Sequence, residues 1–286
     1  MSPIVVVTLL LALPIACTRP SSDAETTALV REALAKQGCT VRAQEGRTLR
    51  TICGDAALEG SMNLENLDEA LKATSGREAR ARAVSKFVEA LTAAQREPTA
   101  DALPAASLRP SLKSKAAIEA TLARVPPEKR VQNRLPTWPV AGAVVAVVVV
   151  DRPDTMTMVM QHALDSWKTT EADVWAKALA NLDAHPLAPK RIVRDGATLA
   201  VLDDPDDAYE AARLLSAKSR GSLEQMVGGH AVFVAPDREH LAAAKAADPS
   251  AVGALRALAK ELASGAYGIS ADVYEADDAG QFRVVP

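Results

Sequence analysis

Residues 140–150 read VAGAVVAVVVV, and this run constrains the fold more than any other part of the chain. Eleven residues are too few to cross a bilayer, which takes about 20 apolar residues in a helix. Valine is stiff at χ1 and packs best on a pleated surface, so the run predicts a β-strand. It has no polar face, so both of its faces must be covered. Asp151-Arg152-Pro153-Asp154 stops it and turns the chain into a partner strand over 155–160.

The C-terminal part supplies the covering elements. Thr170 caps a helix with Val174, Trp175, Ala178, Leu179 and Leu182 on its inner side. Residues 191–194 and 198–202 flank Asp195-Gly196, the strongest short-range hairpin signal. Asp204-Pro205-Asp206-Asp207 predicts a helix start, with a capping Asp, Pro at the first helical position and acids at the positive end of the dipole. Residues 230–235 predict a strand, and Asp248-Pro249 opens a helix lined by Val252, Leu255, Ala259 and Leu262. Residues 269–274 and 281–285 predict a terminal hairpin. Hairpins outnumber strand–helix–strand crossovers, which predicts an α+β fold in two lobes, with largely antiparallel sheets and packed helices.

The beginning of the chain speaks to location. Residues 5–15 (VVVTLLLALPI) are almost wholly apolar, end at Ala16-Cys17 and precede a polar stretch. This is the layout of a bacterial lipoprotein signal, which places the mature chain in the cell envelope, lipid-anchored through Cys17 or secreted. Pro14 and Ile15 depart from the usual Leu-like and small residues, and the leading region carries no Lys or Arg. The competing reading is a cytoplasmic protein with an apolar first strand. With Cys17 set aside, Cys39 and Cys53 form an even pair flanking 40–52, which reads as a hairpin around Glu45-Gly46. They are either a disulfide, which an oxidising compartment preserves, or two buried thiols.

A helix is expected over 24–36, and Ser75-Gly76-Arg77-Glu78 has capping-box form before a stripe of Val84, Phe87, Val88 and Leu91. The organisation is therefore a signal over 1–17, a polar tether over 18–27 and an N-terminal helix–hairpin–helix lobe over 28–96. An irregular Pro-rich connection follows over 97–137, then a C-terminal α+β lobe over 138–286. A hydrophobic content of 48% suffices for a sizeable core, and a net charge of −3 argues against nucleic-acid coating.

Residues 178–182 (ALANL), 206–215 (DDAYEAARLL) and 232–241 (VFVAPDREHL) together resemble the YtpQ-like proteins, the domain-of-unknown-function family numbered 1444. The resemblance runs weakly from residue 24 to the end. It implies an α+β fold and no site residues, because the family has no assigned reaction. Members lack an export signal, so a cytosolic role would not transfer.

The chain lacks Gly-x-Ser-x-Gly, Walker, Gly-x-Gly-x-x-Gly, His-Glu-x-x-His and Cys-x-x-Cys motifs. His162, His185, His230 and His240 have no metal-ligand spacing, and no metal or cofactor is implied. His230, behind Gly228-Gly229, is a weak binding candidate or an ordinary strand-start residue. Asp203, Asp204, Asp206 and Asp207 could hold a cation, with Asp204 and Asp207 as ligands, but helix capping explains them more simply. Tyr209 and Arg213, four apart, read as a packing pair or a ligand-facing pair. Trp175 reads as core, whereas Trp138, between prolines, could anchor a partner; Lys129, Arg130 and Arg134 read as a solvated face. The leading expectation is non-enzymatic binding of a protein or cell-wall partner at the membrane. The alternatives are a hydrolase using His162, Asp165 and His230, or a small-molecule carrier with a pocket between the lobes.

Overall fold

Cys39 and Cys53 stand opposite each other in the ladder between β2 (Cys39–Glu45) and β3 (Thr48–Cys53), and a disulfide joins them. The structure, a computed structural model, describes residues 7–8, 23–53, 58–72, 74–96, 102–123, 130, 134–152, 155–204, 207–265 and 267–286. Cys17 and the rest of the expected signal, apart from Val7–Thr8, lie outside the described residues, as do Lys129, Pro205 and Asp206. The chain has an α+β fold with antiparallel sheets, and it divides into two compact units.

The first unit comprises Met1–Leu103, Val150–Met158 and Asp165–Trp167. Here β4 (Leu58–Asn63) extends the hairpin into a three-stranded sheet of order β2-β3-β4. Helices α1 (Asp23–Lys36), α2 (Glu65–Lys72) and α3 (Arg77–Arg96) complete it. The expected stripe of Val84, Phe87, Val88 and Leu91 is buried with Val30 and Leu34 of α1, Leu49 of the sheet and the disulfide itself. Separately, β1 (Val7–Thr8) pairs antiparallel with β8 (Thr155–Met158).

The second unit comprises Pro104–Val149, Val159–Leu164 and Lys168–Pro286. Residues 97–137, expected to be irregular, contain β5 (Leu108–Ser114) and α4 (Lys115–Ala123). Its strand was hidden because Pro110 and the serines mask a segment that burial makes regular: Leu108, Pro110, Ser111 and Leu112 are all buried. The valine run is also corrected. It is two strands, β6 (Trp138–Ala141) and β7 (Val144–Arg152), turning at Gly142 with φ +53°. Helix α5 (Gln161–Trp167) and β7 both run across the division between the units.

A six-stranded antiparallel sheet dominates the second unit, in the order β14-β13-β11-β12-β10-β9. Its strands are β9 (Lys190–Arg194), β10 (Ala197–Leu202), β11 (Ala231–Val234), β12 (Leu241–Lys245), β13 (Val273–Ala276) and β14 (Phe282–Val285). Period-two alternation divides each central strand between two cores. Leu199, Val201, Val232, Val234, Ala242 and Ala244 join Ala251, Leu255 and Ala259 of α8 (Pro249–Ala263). Ala200, Leu202, Ala231, Phe233, Leu241 and Ala243 face the other way, with Leu223 of α7 (Ala217–Val227) and Leu214. Thr170 caps α6 (Glu171–Ala184) and Asp248 caps α8, both as expected.

The α-helix expected after Asp204-Pro205-Asp206-Asp207 is absent from the described residues that follow, Asp207 onward. The chain makes a turn and then a 3-10 segment over Ala211–Leu215. The physical reason lies in the core: Asp207, expected in the first helical turn, is buried against Arg213.

Candidate functional site

The structure sets the predicted site residues apart from one another, and takes Asp207 into a buried ion-pair network around Arg213. Arg213 is 1% exposed, and its Nη2 donates to Asp207 Oδ2 at 2.8 Å and to the carbonyl of Pro186 at 2.9 Å. Its Nε lies 2.8 Å from Glu210 Oε2, an ion pair outside hydrogen-bond geometry. His185, which ends α6, places Nδ1 3.7 Å from Asp207 Oδ2. Two carboxylates thus share one buried guanidinium. Burial, which Arg213 only partly offsets, pushes the Glu210 carboxyl up to about 7. Asp207 Oδ1 also accepts from the Tyr209 amide, closing the turn. The network pins α6 to the 3-10 segment, and because no α-helix forms here Tyr209 and Arg213 do not share an α-helical face.

The acidic cluster is dispersed in the same way. Asp203 binds Lys190 at 2.7 Å, Asp207 points to Arg213, and Asp204 is exposed. Among the described residues, no group of three His, Cys, Asp or Glu is placed to hold a metal ion. His230 is exposed and tied to Glu275 at 2.7 Å and Glu224 at 3.8 Å. His162 lies on α5 with its Nδ1 buried and outside any hydrogen bond. Trp138 is half-buried and stacks on Trp175, with ring centroids 4.3 Å apart. Arg134 bridges Glu171 and Gln161, and Arg130 is exposed.

The residues that do converge include His240, Asp203 and Leu262, which the sequence names separately and does not join. Between α8 and its sheet face is a cavity of about 130 Å3, lined by Ile192, Val201, Asp203, Pro236, His240, Leu241, Ala242, Leu258 and Leu262. Its floor is apolar because β9, β10 and β12 each turn one side chain toward α8 there. The small Ala242 leaves room that a larger residue would fill. A space of this class suits a compact apolar group; an engineered cavity of about 150 Å3 takes benzene.

The rim is polar and ordered. His240 Nδ1 meets both Asp237 oxygens, at 2.7 and 2.9 Å, which leaves Nε2 for another partner. The bond to Asp237 holds the imidazole pKa above its ordinary value, against the cost of burial, and the charges of Asp237, Glu239 and Asp203 add to the effect. The loop carrying these residues is fastened by the Ile269 amide on the Pro236 carbonyl at 2.7 Å. Arg238 stacks over Tyr267 with its guanidinium carbon 3.5 Å from the ring centroid. Desolvation and the charge of Arg238 push the Lys113 ammonium of β5 down to about 8.

The only local signal for this site was Asp237 and His240 three apart between two strands. The lining residues come from five separate segments, and no spacing rule joins them. Comparison with known protein families, curated proteins and solved structures finds no match, so the resemblance to YtpQ-like proteins rests on its strings alone.

Proposed function

We propose that this chain is an envelope protein tethered through Cys17, and that its second unit binds a protein or cell-wall partner by taking an aliphatic group into the cavity beneath His240. The observation that carries the binding reading is the cavity itself: an apolar floor with an oriented hydrogen-bonding rim is the usual composition of a recognition pocket. The location rests on the leader sequence and draws support from the Cys39–Cys53 disulfide, a bond that oxidising compartments preserve. Among the described residues no helix is long and apolar enough to cross a membrane, and attachment through a lipid requires none.

Methyl NMR with 3-methylbutanamide as the probe tests the cavity. Saturable shifts of the Ile192, Leu258 and Leu262 methyls are expected, and Leu262→Trp, which fills the space, abolishes those at Ile192 and Leu258. Unchanged wild-type spectra at high probe concentration would contradict the reading. A hydrolytic reading has one observation in its favour, the imidazole held by Asp237 in the manner of a general base. It predicts turnover of a short-chain p-nitrophenyl ester that vanishes in His240→Ala.

A further inference from the structure

Among the described residues, the titratable side chains that line the cavity are Asp203 and His240. Asp203 is held by Lys190 at 2.7 Å. His240 places Nδ1 on the Asp237 carboxylate, a group that only accepts, so Nδ1 keeps its proton in the charged and in the neutral ring alike. Nε2 makes no hydrogen bond among the described residues. It donates when the ring is an imidazolium and accepts when the ring is neutral. The hydrogen-bonding sense of this atom therefore depends on one proton.

The charges around the ring are matched in pairs. Asp237 meets the ring itself, Glu239 on the same loop is bridged by Arg238 at 3.0 Å, and Asp203 beyond β10 is bridged by Lys190. The side chains that α8 brings to the cavity, Leu258 and Leu262, carry no charge. An entering carboxylate would meet three other carboxylates, and an entering ammonium would find each of those acids already taken. Moving either ion from water into an apolar space with no free counter-ion is costly. A neutral group escapes that cost, and a carbonyl oxygen is an acceptor suited to an imidazolium Nε2–H.

We infer that the cavity takes a neutral branched acyl group, with its aliphatic end on the floor and its carbonyl oxygen accepting from Nε2 of a charged His240. This assignment rests on the binding role proposed for the cavity and supplies the polar half of its ligand. Uptake then follows the proton on the ring. The carbonyl is held while His240 is charged, and it faces a lone pair once the ring is neutral. Asp237 is a positioning residue: it fixes the tautomer and keeps the ring charged to higher pH than an ordinary histidine.

Methyl and amide NMR titrations of the full chain, from about pH 5 to about pH 9, test this with two isosteres. The carbonyl of 4-methylpentan-2-one only accepts, whereas 3-methylbutanamide carries an NH2 in place of the ketone methyl and can also donate to a neutral ring. The ketone is expected to lose affinity about tenfold as His240 loses its proton, the equivalent of one hydrogen bond, and the amide to change less than about threefold. That comparison uses the unaltered protein, so it survives a folding defect in any variant. Asp237→Asn keeps an oxygen for the Glu239 amide and moves the fall to lower pH, toward the ordinary histidine value. His240→Gln, whose donor never titrates, removes the pH dependence. With His240 charged, 3-methylbutanoate and 3-methylbutylammonium bind at least about tenfold more weakly than the amide. Ketone affinity that stays level with pH, or that falls equally for the amide or in His240→Gln, overturns the inference while the cavity reading stands. A midpoint unmoved by Asp237→Asn, or equal binding of either ion, overturns it as well. If neither neutral ligand binds at any pH, the cavity reading fails with it.

Discussion

In the first unit a covalent bond closes the end of a hairpin, whereas in the second a guanidinium with no route to solvent fastens a segment that never becomes a regular helix. The disulfide acts mainly by limiting the unfolded chain, so its effect varies little with pH. The Arg213 network acts through charge in a poorly solvated place, so its effect depends on which carboxylates are ionised. Local closure is covalent in one unit and electrostatic in the other. The second unit also carries the cavity, and the loop at its rim is fastened by the Ile269 amide on the Pro236 carbonyl.

The largest expected effect is on the electrostatic side. Arg213→Ala strands Asp207 and Glu210 without their shared cation and destabilises the second unit by about 3–5 kcal/mol, read by denaturant unfolding. Hydrogen exchange should show lost protection in 190–263 and unchanged protection in 24–53. The reciprocal break is Cys39→Ser with Cys53→Ser. It costs about 2–4 kcal/mol, confined to exchange in the first unit. Loss spread evenly over both units in either experiment would erase the contrast.

Acid–base behaviour sharpens the comparison further. Glu210 has its folded pKa raised from 4.5 to about 7, so the folded state keeps a proton that the unfolded chain releases. Stability of the second unit therefore falls as pH rises from about 4.5 to about 7, and Glu210→Gln removes that slope. A smaller contribution comes from His240, whose pKa is raised chiefly by Asp237. Its stabilisation is full below about 6.5 and is lost as pH climbs through the raised folded value; Asp237→Asn abolishes it. The first unit, held by its disulfide, is expected to show neither transition.

Legibility in the sequence followed the range of the forces involved. Asp195-Gly196, Thr170 and Asp248-Pro249 were readable because positive φ and capping are decided within a few residues. Asp204-Pro205-Asp206-Asp207 carries much the same signature as Asp248-Pro249, yet a turn over 208–210 and not an α-helix follows it, because Asp207 finds Arg213 in the core. Strand β12 reads Leu-Ala-Ala-Ala-Lys, a helical composition, and becomes a strand only because β10 and β11 flank it and both faces are buried. The cavity depends on the smallness of Ala242 opposite Leu258 and Leu262, a complementarity of volume that no spacing pattern records.

The central claim is that the second unit binds through its cavity, and it is tested most directly by crosslinking in the membrane fraction of the native host. Wild type, Leu262→Trp and the disulfide-free variant would be expressed at equal levels and their crosslinked adducts quantified. The account predicts one discrete adduct in wild type, its loss in Leu262→Trp, and its retention wherever the disulfide-free chain stays folded. An adduct of the same size and yield in Leu262→Trp would contradict it.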